Sequence, residues 1–457
     1  MPVMSLLLRV IRTYLTGNFH YNEFAYIVYP FARIYKLLGF APIQLRRGDI
    51  LRNCAVKQLQ WDTKAWAWTC FHLMVYTIGF SIGIYQLHSK SHNRVDGISH
   101  WTSWAQLFTL FILGIVAWVT AWTHMDEQCQ LCALVFKIDK QLREFAEIEF
   151  DYKLLRKRLF YQLGLELLIA FPLSMVNCMI IQPTTTFFLP ITACYWFICV
   201  APISLLIFKQ FQFYNQMYIL KTKFELINCK LSRFNRNGVL AMARRRILTV
   251  RKINSVSEIP LTAVPISAAH SESVALEEPN VEILQNLLMI YSSISDGIDL
   301  VLRIFAWHLL AITAVSFGVI TIQSYNLFIL MTHSLDLPTH HVFFIIAWIL
   351  VQVMAIAMNV RICSSTSRTM DATVSLLHKM RCSSNAAPNA CVFYQMLQLF
   401  SMEVLQRKRN FNAAGFFDMD YKLITSIFAS VTTYLVIIIQ FHFTSVPDGH
   451  FANHSVY

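Results

Sequence analysis

The chain has 457 residues, 56% of them hydrophobic and only 14% charged, with 35 Phe and a mean hydropathy of +0.48. Soluble domains carry about 25% charged residues, so one large water-exposed globule is excluded and a bilayer solvent is indicated. The formal charge of +12 does not point to nucleic acid, because Lys and Arg lie between apolar runs rather than along one stripe.

In chain order, the basic segment 1–64 comes first. Its short apolar stretch is interrupted by Arg9 and Arg12, so no cleavable signal peptide is expected there. Seven apolar runs then approach the roughly 20 residues that a spanning helix needs. They are Ala65–Leu87, Trp101–His124, Leu159–Ile181, Phe187–Phe208, Phe305–Met331, His341–Val360 and Leu423–Phe443. Of the 38 Lys and Arg, 35 fall in segments 1–64, 125–158, 209–304 and 361–420, and two fall in the opposite connections. Positive charge stays on the cytoplasmic side. The expected architecture is therefore an all-α membrane protein with seven transmembrane helices, a cytoplasmic N-terminus and an extracellular C-terminus. Its parts are four spans in 65–208, cytoplasmic extensions in 209–304, two spans in 305–360, cytoplasmic helices in 361–422, the last span in 423–443 and an outer tail in 444–457.

The outer connections are short and the inner ones long. Lys209–Phe234 reads as a continuation of the fourth span into the cytosol. Leu284, Leu287, Tyr291, Ile294 and Ile298 repeat with helical period, with Asn280 as the expected N-cap, and Val392, Met396, Leu397 and Phe400 mark another cytosolic helix. These helices either pack together beneath the membrane or lie on its surface. Residues 236–279 mix basic, Ser and Pro residues without a sustained period and read as a flexible loop. Cys129 and Cys132 form a lone CxxC with no second pair at metal spacing, so ordinary thiols are expected and no metal or cofactor. No Gly-x-Ser-x-Gly or membrane-embedded His/Asp cluster suggests an enzyme.

On the last span Ser426, Ser430, Thr433, Ile437, Gln440 and Thr444 share one helical face, and Ile427, Phe428, Leu435, Val436, Ile438 and Ile439 fill the others. Such a stripe serves either as hydrogen-bonding glue between helices or as a pore lining, with Ile437 an apolar ring and Gln440 a polar one. The stretch TYLVIIIQF, Thr433 to Phe441, resembles the Thr-Tyr, five hydrophobics, Gln-Phe signature of the insect gustatory receptor family. Upstream, Gly415, Phe416, Phe417, Met419 and Asp420 resemble that family's lead-in. The resemblance implies a tastant-gated, non-selective cation channel in the plasma membrane of sensory neurons, assembled as a homo- or heterotetramer. Cytosolic helices would form its anchor, and Ser430, Thr433, Ile437, Gln440 and Phe441 would form its pore and gate.

It also implies a pocket for a sugar or bitter compound in the outer half of the earlier spans. The topology brings Trp104, Gln106, Asn177, Tyr195, Trp196, Gln323, Tyr325, Trp348 and Gln352 near that depth, where rings stack on ligand faces and amides bond hydroxyls. Glu166 and His308 fall in the inner half, where structural partners are expected. Asn453 begins a glycosylation sequon on the outer tail. The alternative reading is a transporter of a small polar solute, although no internal repeat supports one.

Overall fold

The computed structural model describes residues 34–36, 38–39, 63–91, 97–146, 152–181, 201–255, 267–333, 339–384, 391–407 and 410–445. These form helices α1 (Thr63–Ser91), α2 (Gly97–Thr123), α3 (Met125–Ala146), α4 (Tyr152–Ile181), α5 (Ala201–Ser255), α6 (Ser267–His333), α7 (Thr339–Ser384) and α8 (Cys391–Gln406). A two-stranded hairpin, β1 (Asn412–Ala413) and β2 (Phe417–Asp418), and helix α9 (Tyr421–Ser445) follow. Among the described residues, four stretches are long and apolar enough to cross a membrane: Trp66–Tyr85, Val281–Thr332, Val342–Met380 and Tyr421–Phe441. A fifth is counted if the bent pair α2 and α3, which meet at 66°, is one span. Each of the seven expected runs falls on a helix wherever it is described; residues 187–200 of the fourth lie outside the described residues.

Three helices far exceed the bilayer. A spanning helix takes about 20 residues, whereas α5, α6 and α7 have 55, 67 and 46. Their extra length builds a bundle beyond the spans. On α5, Phe213, Met217, Leu220, Phe224, Ile227 and Leu231 recur every three or four residues and are all fully buried. They meet Leu284, Leu287, Tyr291, Ile294 and Ile298 of α6 and Leu397 and Phe400 of α8 in one core. Tyr291 is its hub, edge-on to Phe224 at 5.0 Å and to Phe400 at 5.7 Å. These extensions thus pack on one another.

Where a loop was expected over 236–279, the backbone stays helical through Ser255 and again from Ser267. Asn280 accordingly lies inside α6 and does not cap it. The physical reason is propensity: Leu240–Arg246 are Ala, Leu, Met and Arg, which prolong a helix without needing an apolar face. Asn228 ties α5 to α7, donating to the Thr369 carbonyl at 2.8 Å and accepting from the Thr373 hydroxyl at 2.7 Å.

At the other end α1 packs on α2 through a missing side chain. A Cβ on Gly114 would lie 2.8 Å from the Tyr76 hydroxyl oxygen and 3.0 Å from its ring carbons. Tyr76 is itself wedged between Phe111 and Trp118, at 5.4 and 5.0 Å. Gly114→Leu is therefore expected to cost about 1–3 kcal/mol by overpacking, read as a lower unfolding midpoint of the detergent-purified protein, while the same change at Gly164, where the space is open, is neutral.

Candidate functional site

The family-like lead-in to the last helix is a built device. Gly415 has φ +82° and Ala414 φ +50°, which turn the chain between β1 and β2. The left-handed region suits a residue without a Cβ, which explains Gly415. Asn412 then pairs with Asp418 and Ala413 with Phe417. Asp420 ends the device: its Oδ1 accepts the backbone N–H of Lys422 at 2.9 Å and of Leu423 at 3.2 Å. It is the N-cap of α9. Asp420→Ala is expected to remove about 1 kcal/mol and to fray the entry of α9, seen as faster amide exchange at 422–424 with exchange in α5 unchanged.

Above the cap, α9 leans on α6 by one face. Ile424 and Ile427 pack against the core and Val431 is buried. Tyr434 meets Phe317 edge-on at 5.7 Å and Phe443 meets Phe328 at 6.2 Å. The stripe residues Ser430, Thr433, Ile437 and Gln440 point away from that face, and all are exposed, as is Phe441. Only 6% of the apolar stretch of this helix is buried. The Thr433 hydroxyl donates back to the Ala429 carbonyl at 3.0 Å, and Thr444 to that of Gln440 at 2.8 Å. Neither hydroxyl therefore joins α9 to another described helix through these bonds.

The residues proposed for ligand contact separate. Trp348 is fully buried, stacked on Phe344 at 5.9 Å, and sits among Leu110 and Leu113 of α2, Leu206 of α5 and Ile312 and Val315 of α6. Its indole N–H has no hydrogen-bond partner among the described residues. One turn away, Gln352 is 1% exposed and accepts the Ser316 hydroxyl at 2.8 Å. An amide in hydrocarbon needs such a partner, and Ser316 on α6 supplies it. Gln323 and Tyr325 are buried on α6, and Trp104 is half-buried with its ring 6.2 Å from Phe108. Gln106 and Asn177 lie on α2 and α4, but their side chains, like that of Glu166, are outside the described residues; so are Tyr195, Trp196 and Asn453. His308 is 1% exposed, with neither ring nitrogen hydrogen-bonded among the described residues, beside the Phe305 ring. The Lys209 ammonium lies 4.9 Å over the same ring.

Below the spans two charged clusters escaped the sequence reading. Asp139 of α3, 2% exposed, accepts Lys223 of α5 at 2.8 Å and also bonds Arg143. Burial holds the Lys223 ammonium below its ordinary range, and the Asp139 carboxylate partly offsets this. The second cluster is Arg407, just past α8, which pairs with Glu403 and with Asp296 of α6. Burial opposes its charge, but the bonds to both carboxylates hold its pKa above the ordinary value. Asp139 and Lys223 each interrupt the apolar phase of an amphipathic helix with opposite sign, which is the signal that could have found them. The CxxC thiols are free and half-buried, and burial pushes Cys129 up to about 11 and Cys132 up to about 12, which disfavours the thiolate.

Long apolar helices that merge into a packed bundle, with a capped and exposed final helix, define a multi-pass helical membrane protein. The chain belongs to the 7tm chemosensory receptor family, whose model matches residues 28–445. The gustatory and pheromone receptor 32a of Drosophila melanogaster is 31% identical over 155 residues, which are 34% of this chain and 31% of that protein. The chain thus spans about a third of the length of that relative. Two structures of the insect olfactory receptor OR5 from Machilis hrabei, one in complex with eugenol, share the fold with TM-scores of 0.59 and 0.57. Each covers 90% of this chain and 97% of the receptor, at 11% and 12% identity.

Proposed function

We propose that the chain is a gustatory receptor subunit that is itself a cation channel, gated by a small tastant, in the plasma membrane of sensory neurons. The carrying observation is α9: a helix of membrane length, 6% buried, whose Ser430, Thr433, Ile437 and Gln440 turn away from the face that packs on the other described helices. An isolated subunit leaves that stripe uncovered. Four copies around an axis would enclose it, with Ile437 as an apolar constriction and Gln440 and Phe441 at the outer mouth. The N-terminus is cytoplasmic in this reading, because 35 of the 38 Lys and Arg lie on that side.

The ligand would enter the outer half of the bundle. The unpaired indole N–H of Trp348 amid leucines supports a contact with a ligand acceptor there, with Trp104, Gln323 and Tyr325 as further lining, together with Gln106, Asn177, Tyr195 and Trp196. Gln352 serves that pocket as a brace through Ser316. Sugars and bitter compounds both fit this mixture of rings and amides, and the similarity to a Drosophila gustatory and pheromone receptor supports a taste molecule as the ligand. Ligand binding opens the pore by preferring the open state.

The test is substituted-cysteine labelling with currents recorded from purified protein in planar bilayers. Water-soluble thiol reagents are expected to modify Ile437→Cys and Gln440→Cys and to change a ligand-evoked current. Labelling blocked under every stimulus, or responses that require an added G protein, would sink the channel reading.

A further inference from the structure

The outward face of α4 carries a groove of about 740 Å³ lined by Arg156, Lys157, Phe160, Tyr161, Gly164, Leu165 and Leu168. The helix's two sides have different tasks. Leu155, Leu159 and Leu163 are buried against the core. Arg158 fixes the helix's rotation, donating to the Tyr218 hydroxyl of α5 at 2.7 Å with its guanidinium 4.5 Å over that ring. The opposite side then faces outward: Tyr161 is 76% exposed, Leu165 53% and Leu168 71%. A Cβ on Gly164 would meet nothing within 4 Å, so the groove has a hollow at its middle.

We propose that this groove binds one acidic phospholipid of the cytoplasmic leaflet, a reading that rests on the topology proposed above. Two observations select this occupant. The first is charge order: both cations sit at the end of the groove next to the cytoplasmic boundary of the span, where Lys and Arg reach headgroups, and everything deeper is apolar apart from the Tyr161 hydroxyl. The second is length. Lys157 and Leu168 are eleven residues apart, a rise of about 16 Å, which is close to half of a ~30 Å hydrocarbon core. The groove therefore measures one leaflet: a phosphate and an anionic headgroup at Arg156 and Lys157, and an acyl chain along Phe160, Gly164, Leu165 and Leu168. Tyr161 stands at the boundary, where an amphipathic ring belongs.

The test uses the full chain in nanodiscs of equal phosphatidylcholine and phosphatidylserine, with retained lipid counted by native mass spectrometry. The purified protein is expected to retain phosphatidylserine preferentially, on the order of thirtyfold, since each juxtamembrane cation contributes about a factor of five. The variant Arg156→Gln/Lys157→Gln is expected to fall to near parity. Gly164→Phe, which fills the hollow and keeps both cations, is expected to reduce total retained lipid. Lys230→Gln/Arg233→Gln on α5 removes the same charge elsewhere and is expected to change nothing. Parity in the unaltered protein, or an unchanged preference in the Arg156/Lys157 variant, overturns the proposal. So does a photoactivatable phosphatidylserine that labels peptides outside 156–168, or a crosslink showing a second copy of the chain or its residues 1–33 seated in the groove. No current is measured, so a failure here leaves the channel reading standing.

Discussion

Asp139→Asn is expected to destabilise the protein by about 3–5 kcal/mol, because it leaves the Lys223 ammonium buried without its counter-charge. Arg143 is half exposed and can turn to water, but Lys223, 5% exposed at its side chain, cannot. The measurement is the unfolding midpoint and the monodisperse fraction in detergent. A second variant separates charge from shape: Asp139→Leu with Lys223→Met replaces the pair by apolar groups and is expected to recover most of the loss. If the double variant is as unstable as Asp139→Asn, the pair's role is not electrostatic. The pH dependence has a definite sign. Burial lowers the folded-state pKa of Lys223 below the ordinary 10.5, so between the two values the unfolded chain binds more protons and stability rises with pH. Asp139→Asn removes the partner that holds the proton, so its stability is expected to climb more steeply toward alkaline pH.

Ile437→Ser carries the largest expected functional effect. An apolar constriction excludes water, and a hydroxyl at that level admits it. Ligand-free current is expected to rise about tenfold, equivalent to ~1.4 kcal/mol of lost bias toward the closed state. Gln440→Ala is expected to alter unitary conductance or basal leak. Leu435→Ala, at a half-buried position off the stripe, is expected to leave both unchanged at matched surface expression. Equal and negligible effects at all three positions would assign the stripe to helix–helix contacts.

Helix α6 touches each of these parts. It carries Ser316 at the Gln352 brace, Phe317 and Phe328 against α9, Tyr291 at the bundle hub and Asp296 at Arg407.

By itself the sequence determined the solvent and most of the apolar helices. Hydropathy is a local sum and helical period a local repeat, so the seven runs, the amphipathic helices between them and the α9 stripe were legible within windows of about 20 residues. The Thr433–Phe441 motif named the family for the same reason, being contiguous. Only the tertiary structure decided who meets whom. Gln352 finds Ser316 at a separation of 36 residues, Lys223 finds Asp139 at 84 and Arg407 finds Asp296 at 111. It also decided that the helix runs on to Ser255, since the run of Ala, Leu, Met and Arg there leaves no periodic trace, and that the turn at Gly415 closes into a hairpin. Partnership across helices depends on how they pack and cross, and no local pattern encodes that geometry.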